Sequence, residues 1–139
     1  MSVFNHIKSI IDERGAAYVV LLDPDRKNES TIESRVALAN DSSVDALFVG
    51  GSLMMDSNYN ERVQRIKEAS DIPVIFFSGS VGQLNSHYDA ILFMSVISGR
   101  NPHYLIGEQA IAAPIIRDMG IETISTGYML MEGGAGSTV

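Results

Sequence analysis

Apolar stretches with the length of buried strands alternate with amphipathic stretches along this chain of 139 residues. The first four runs are continuously apolar and rich in Val, Leu, Ile and Phe, which is typical of strands covered on both faces in a parallel sheet, and the fifth, which includes Thr, Ser and Gly, also predicts a strand. They are AYVVLLD (17–23), DALFVGGS (45–52), IPVIFFSGS (72–80), DAILFMSV (89–96) and ETISTGYML (122–130). Repeated βα units joined by short turns predict either an open doubly wound sheet or a barrel.

The stretches between the strands place apolar residues at helical spacing. Ser30, with Glu33 three residues later, predicts a capping box at the start of the second helix. Pro114 predicts a break in the last helical stretch, or the start of a second short helix at its own position. The predicted helices lie within 2–14, 29–40, 60–70 and 108–120.

Composition narrows the class of protein. A chain of this length with 45% hydrophobic residues predicts a single domain spanning 1–139. The net charge of −7 argues against nucleic acid as a partner, and the absence of Cys excludes disulfides and thiolate zinc sites. No apolar run is long enough to span a bilayer, and the first residues lack the pattern of a signal peptide. We therefore expect a cytoplasmic protein without an integral membrane segment.

Polar and glycine-containing turns follow the predicted strands. They are DPD at 23–25, GGS at 50–52, SGS at 78–80 and TGY at 126–128. In both doubly wound sheets and barrels, the loops after the carboxyl ends of the strands build the functional site. The sequence therefore predicts that these turns lie together on one rim.

Two of these turns could carry chemistry. A carboxylate at Asp23 or Asp25, completed by water and substrate phosphate oxygens, is the kind of ligand that Mg²⁺ prefers, although both acids could equally cap the loop and the next helix. GGS could offer backbone N–H groups and a hydroxyl to a phosphate, or could be a tight strand exit where no side chain fits. His6, His87 and His103 share no metal-ligand spacing and are interpreted as surface or structural residues.

Several segments together resemble the geranylgeranylglyceryl phosphate synthase family, which also includes the bacterial heptaprenylglyceryl phosphate synthases. The segments occur in the family's order and cover essentially the whole chain. They are LLDPDR, FVGGS, FFSGS, DAILFMSVISGRNPHYLIG, AAP and ISTGYMLMEGG. The resemblance implies a (β/α)₈ TIM barrel that joins sn-glycerol 1-phosphate to a polyprenyl diphosphate by an ether bond, with Mg²⁺-assisted loss of diphosphate. It also implies a homo-oligomer.

Site residues carry over from this resemblance one at a time. Asp23 matches the Mg²⁺-binding aspartate, and Ser52 matches a hydroxyl ligand of the same metal. Asp25 is then expected to hold the loop, and Tyr128 to lie near the substrates. Ser78 is a departure, because relatives usually have proline there.

Length limits what the chain can hold. A closed eight-stranded barrel takes about 200 to 250 residues, whereas this chain has room for roughly five βα units. We therefore expect an incomplete barrel that carries the metal and prenyl diphosphate half of the site, with the catalytic base and the glycerol phosphate loops beyond Val139, and no activity alone. Two alternatives stay open, namely another phosphate-binding (β/α)-barrel enzyme and a non-catalytic half-barrel that self-associates.

Overall fold

A computed structural model of the chain contains one five-stranded parallel sheet. The structure describes residues 1–51, 56–77 and 79–131. The strands are β1 (Val19–Leu22), β2 (Ala46–Gly50), β3 (Val74–Phe77), β4 (Ala90–Val96) and β5 (Glu122–Tyr128).

The strands lie side by side in the order of the sequence, β1-β2-β3-β4-β5. A doubly wound sheet reverses its order at a switch point, whereas a (β/α) barrel does not. The consecutive order therefore confirms the barrel prediction and removes the doubly wound alternative. Within the described ranges β1 and β5 each pair on one side only, so the sheet is an open arc of a barrel.

Within the residues that the structure describes, four helices accompany the sheet, and shorter helical turns lie in three of the loops. The first helix ends at Gly15, which adopts the left-handed φ of 86° that a glycine allows. None of the helices in the described part of the chain has the length and apolar character needed to cross a bilayer. The helices are α1 (Val3–Arg14), α2 (Ile32–Asp41), α3 (Tyr59–Ala69) and α4 (Glu108–Met119), and the turns are 3₁₀ helices at Arg26–Thr31 and Val81–Gln83 and a π-helix at His103–Gly107.

The predicted capping box at the start of α2 is wrong. Residues 26–31 form a 3₁₀ helix, so α2 begins at Ile32, and Thr31 makes no capping bond with its side chain. The Glu33 carboxylate instead accepts a hydrogen bond from Arg65 Nε of α3 at 2.7 Å. Glu33 therefore pairs with a side chain of another helix and not with the backbone at the start of its own helix.

The predicted break at Pro114 is also wrong, because α4 runs through the proline without interruption. Pro114 removes one backbone donor, but it lies on the exposed side of the helix. Ala112 and Ile116, on either side of it, are buried against the sheet. Packing of both turns holds the helix together despite the missing hydrogen bond.

The core has two layers because side chains alternate along each strand. Leu47 and Val49 of β2 belong to the larger layer, between the sheet and the helices, where Val36 and Ile66 are almost fully buried. The smaller layer lies on the inner face of the arc and contains Ala46, Ile75, Ala90 and Leu92, with Val3 and Ile7 of α1 packed against it.

The edge strand β1 departs from the prediction that both faces are covered. Leu21 is 49% exposed, while β2 and β3 bury most of their apolar side chains. The inner face of a barrel strand is covered only when strands on both sides curve around it, and β1 has a neighbour on one side. The sequence pattern alone does not reveal which strand lies at an edge.

The start of α1 lies at the amino end of β5. The carboxylate of Glu122, the first residue of β5, accepts hydrogen bonds from the backbone N–H groups of Val3 at 2.7 Å and Phe4 at 3.0 Å. These are donors that a helix N-terminus leaves without intrahelical partners. Helix α1 is thereby fixed at the end of the sheet opposite to the carboxyl ends of the strands.

Candidate functional site

The loop after β1 presents Asp23 at the carboxyl end of the strand. Its Oδ1 accepts the backbone N–H of Asp25 at 3.2 Å, and its carbonyl accepts the Asn28 side-chain amide at 2.9 Å. Its side chain is 30% exposed, and Oδ2 lies 3.9 Å from Lys27 Nζ. Asp23 is therefore held in place by the loop while one carboxylate oxygen stays accessible.

Asp25 serves the loop itself. It is the N-cap of the 3₁₀ helix that follows, and its Oδ1 accepts the backbone N–H of Lys27 at 3.3 Å. Of the two acids in DPD, Asp25 caps the 3₁₀ helix and Asp23 lies at the carboxyl end of β1. This arrangement agrees with the different roles that the sequence assigns to them.

The two glycines that end β2 meet different neighbours. A Cβ on Gly50 would lie 2.1 Å from the carbonyl oxygen of Phe77, so this position is a tight exit that no side chain fits. Gly51 has a φ of 123°, and a Cβ there would lie 3.9 Å from Cγ of Asp23. Gly51 thus leaves bare backbone beside the Asp23 carboxylate. Ser52 and Ser78 lie outside the described residues.

A groove with a volume of about 220 Å³ begins at Gly51 and runs over the carboxyl ends of β3, β4 and β5. Its walls are largely apolar, with side chains of Phe77, Met94 and Val96. Tyr128 lines it as well and packs edge-on against Phe77, with ring centroids 5.8 Å apart. The structure therefore brings all four predicted turns to one rim, because Gly51, Gly79 and Tyr128 line the groove and Asp23 lies beside Gly51.

The first turn of α4 adds polar groups to this groove that the sequence reasoning missed. Glu108 Oε2 accepts the backbone N–H of Val81 at 3.1 Å, and its Oε1 lies 2.9 Å from His103 Nε2. The Gln109 amide donates to the carbonyls of Met94 and Tyr104. In the sequence, Glu108 and Gln109 are marked only by their position at the start of a predicted helix that follows a strand.

His103 pairs with Glu108, in line with the interpretation of this histidine as a surface or structural residue.

Behind the Asp23 loop, Arg62 of α3 is buried, with a side chain 2% exposed. Its Nε donates to the Pro24 carbonyl at 2.7 Å, and its Nη2 donates to Asp56 Oδ1 at 2.6 Å. The hydrogen bond from Arg62 lowers the pKa of the Asp56 carboxyl. A charged residue in an amphipathic helix is ordinarily solvated, so the sequence pattern does not predict this contact.

Two buried tyrosines lie next to the same loop. The hydroxyls of Tyr59 and Tyr88 are 3.3 Å apart, and the Tyr88 ring stacks on Phe76 with centroids 4.8 Å apart. Burial raises the pKa of the Tyr59 phenol, and the negative charge of Asp23 acts in the same direction. Both effects keep this phenol protonated.

The chemistry of the described residues fits a Mg²⁺ ion with few protein ligands. No three His, Asp or Glu side chains gather into a metal cluster in the ranges that the structure covers. Asp23 nevertheless offers a hard carboxylate oxygen, and the bare backbone of Gly51 leaves room beside it. Mg²⁺ commonly binds through one or two carboxylates and keeps water or substrate phosphate oxygens as its other ligands.

Comparison with known proteins decides the family, because residues 8–139 match the PcrB family. The chain belongs to the PcrB family. This PcrB-family chain is 44% identical over 134 residues to the geranylgeranylglyceryl phosphate synthase of Chitinophaga pinensis, covering 94% of the chain and 53% of that protein. It is 37% identical to the enzyme of the same name from Methanosphaera stadtmanae, covering 96% of the chain and 55% of that protein.

Solved structures of geranylgeranylglyceryl phosphate synthases superpose on this PcrB-family chain. The geranylgeranylglyceryl phosphate synthase of Thermoplasma acidophilum, in complex with its substrate sn-glycerol-1-phosphate, superposes with a TM-score of 0.85 at 29% identity, covering 96% of the chain and 54% of that structure. The enzyme from Thermoplasma volcanium gives a TM-score of 0.87 at 27% identity, with the same coverage. The chain spans about half the length of the relatives it matches.

Proposed function

We propose that this chain forms the metal and prenyl diphosphate half of a prenyltransferase site. The reaction joins the hydroxyl of sn-glycerol 1-phosphate to the allylic carbon of a geranylgeranyl-type diphosphate, forms an ether and releases diphosphate in the cytoplasm. The observation that carries the proposal is the accessible Asp23 carboxylate beside the bare backbone of Gly51, at the mouth of an apolar groove. The names of the PcrB-family relatives support the reaction class.

The groove suits a prenyl chain because its walls are apolar. Phe77, Met94 and Val96 can cover methylene and methyl groups, and burial of each CH₂ stabilises the complex by about 0.8 kcal/mol. Tyr128 lies in the same wall and is proposed to contact the substrates. The diphosphate would then lie at the Gly51 end of the groove, next to Asp23.

The acidic end of the groove explains why a cation is needed there. Asp23 would repel a diphosphate, and Lys27, whose Nζ lies 3.9 Å from Asp23, offsets this charge only in part. When bound by Asp23 and, as the resemblance implies, by Ser52, Mg²⁺ would stabilise the negative charge of the departing diphosphate. The proposal assigns the base and the glycerol phosphate site to no residue of this chain.

The test is binding of geranylgeranyl diphosphate to the purified chain by calorimetry, with and without Mg²⁺. We expect Mg²⁺-dependent binding that Asp23→Asn weakens at least about 10-fold, the lower range for losing a residue that supports a metal. Asp12→Asn makes the same charge change on the exposed surface of α1 and should leave the affinity unchanged. Equal affinity in all three proteins would contradict the assignment of Asp23.

Activity is measured in the same preparation with labelled sn-glycerol 1-phosphate. We expect no ether product from the chain alone. Product formation would contradict the proposed division of the site while supporting the reaction. Binding of phosphorylated sugars in place of the prenyl diphosphate would favour another phosphate-binding barrel enzyme.

We also propose that the chain forms a homo-oligomer, because apolar surface remains open on the arc. Leu21 is 49% exposed on edge strand β1, and Ile97 and Met129, which follow β4 and β5, are more than half exposed. Exposed strand edges and apolar patches are common sites of association. A non-catalytic half-barrel would share this property, so the binding experiment above separates the two functions.

A further inference from the structure

Arg62 is the most deeply buried charged side chain at the candidate site, and its contacts come from two different loops. A guanidinium removed from water is costly unless hydrogen bonds and opposite charges compensate it. Arg62 lies on α3 and makes no contact with the groove itself in the described part of the chain. The groups that contact Arg62 therefore indicate what this buried side chain contributes to the site.

The first partner is the loop that carries Asp23. Arg62 Nε donates at 2.7 Å to the carbonyl of Pro24, the residue immediately after Asp23. Arg62 Nη1 lies 3.5 Å from Glu29 Oε2, in the 3₁₀ helix that ends this loop. The guanidinium thus forms a hydrogen bond with the loop close to its start and an ion pair with it five residues further along.

The second partner is the segment between β2 and α3. Arg62 Nη2 donates at 2.6 Å to Asp56 Oδ1, and Asp56 precedes α3 by three residues. This segment begins with Gly51, the neighbour of Asp23, and contains Ser52 in the sequence. The planar fork of an arginine can serve both segments at fixed directions, which the single ammonium of a lysine cannot.

We infer that Arg62 is a positioning residue, whose guanidinium fixes the loop carrying Asp23 against Asp56 and so sets the place of the Asp23 carboxylate. The inference rests on the proposed function only in taking Asp23 as the metal ligand. Outer residues that orient a metal ligand change metal affinity by about 10- to 100-fold when they are replaced. Arg62 is expected to act in this way through Pro24 and Asp56.

Arg65 supplies a matched control on the same helix. It pairs with Glu33 and donates at 3.1 Å to the Glu29 carbonyl, but it reaches neither Pro24 nor Asp56. Arg65→Lys therefore makes the same chemical change on the same helix. It leaves the two contacts that define the inference intact.

The experiment compares Arg62→Lys, Asp56→Asn and Arg65→Lys in the whole chain, using two measurements. Amide hydrogen exchange follows Lys27 and Asn28, whose N–H groups bond within the loop, with Val74 of β3 as the reference. Titration with MgCl₂ alone, followed by amide chemical shifts, gives the metal affinity. We expect Arg62→Lys to lower loop protection and Mg²⁺ affinity about 10-fold, Asp56→Asn to change both less in the same direction, and Arg65→Lys to change neither.

The Asp23→Asn background shows whether Arg62 acts through the carboxylate. There, Arg62→Lys should still release the loop but have no further effect on Mg²⁺ affinity. A further loss of affinity in that background, or unchanged loop exchange in Arg62→Lys, would overturn the inference. So would a parallel loss of protection at Val74 in both Arg62→Lys and Asp56→Asn, because that pattern indicates a general structural role.

Failure of the proposed metal site has a different signature. If the unaltered chain binds no Mg²⁺, or binds it as well with Asp23→Asn, then Asp23 is not a metal ligand. Loop exchange in Arg62→Lys still decides whether Arg62 positions Asp23. If Arg62→Lys does not fold, Asp56→Asn decides it instead, because Asp56 is a partly exposed residue whose loss removes one arm of the contact.

Discussion

At the scale of single residues, Gly50 shows how tightly β2 lies against β3. Its φ of 149° is one that side chains rarely adopt, and a Cβ would lie 2.1 Å from the Phe77 carbonyl oxygen. The obstacle is backbone, which cannot swing aside as a long side chain would. Because glycine has no Cβ, the chain can take this conformation at Gly50, and the conformation places Gly51 beside Asp23.

Gly50→Ala is expected to lower the free energy of unfolding by more than about 1 kcal/mol, because the new methyl group combines an unfavourable φ with a backbone clash. Urea denaturation followed by circular dichroism measures the change. Gly99→Ala is the control, since its φ is ordinary and its Cβ would make a normal contact at 3.8 Å with Val96. Equal stability of the two variants would contradict the clash.

The strand ends predict that Asp23 and Gly51 lie at one edge of the sheet, and the resemblance adds Tyr128. The structure places these three residues along that edge. Arg62 and Glu108 could not be found in this way. Their contacts depend on which loop lies against each helix. The spacing of apolar residues within a helix does not predict which loop that is. Long-range contacts of charged side chains are the part of the site that local pattern does not contain.

At the scale of elements, α1 depends on a distant strand for its start. Helix α1 has no acidic residue in its own first turn, and Glu122 of β5 supplies the carboxylate for two of its N–H groups. A carboxylate at a helix N-terminus satisfies unpaired donors and interacts favourably with the helix dipole. The link holds α1 to the sheet although none of the side chains of this helix is fully buried.

Glu122→Ala is therefore expected to destabilise the chain by about 1 kcal/mol, the usual effect of losing an N-terminal cap. Amide exchange within α1 should increase more than exchange in β2 or β3. Thr123→Ala, at the next and exposed position of β5, provides the comparison. Uniform exchange across all helices in Glu122→Ala would argue against a specific link.

Element positions were predictable where a local period decides them. The buried stripe of Ile32, Val36 and Ala39 follows directly from helical spacing, and the five strands follow from their apolar runs. The capping box and the break at Pro114 failed because tertiary packing outweighed local preference. Glu33 pairs with Arg65 instead of capping α2, and the buried residues on either side of Pro114 keep α4 continuous.

At the scale of the whole molecule, the arc leaves the inner face of β1 partly uncovered. If copies associate through this face, Leu21→Arg should shift the chain toward a monomer, because it places a charge in the apolar contact. Light scattering after gel filtration measures the mass. Ile11→Arg, on the exposed side of α1, is expected to leave the oligomer unchanged. A monomeric unaltered chain would contradict the proposed association.

The consecutive strand order bears on how the chain folds as it is synthesised. Each new strand pairs with the one made just before it, so the sheet can grow during translation by short-range steps. Helix α1 cannot follow this course, because the carboxylate that holds its first turn lies 119 residues further along the chain. The first turn of α1 is therefore fixed in place only after β5 has been synthesised.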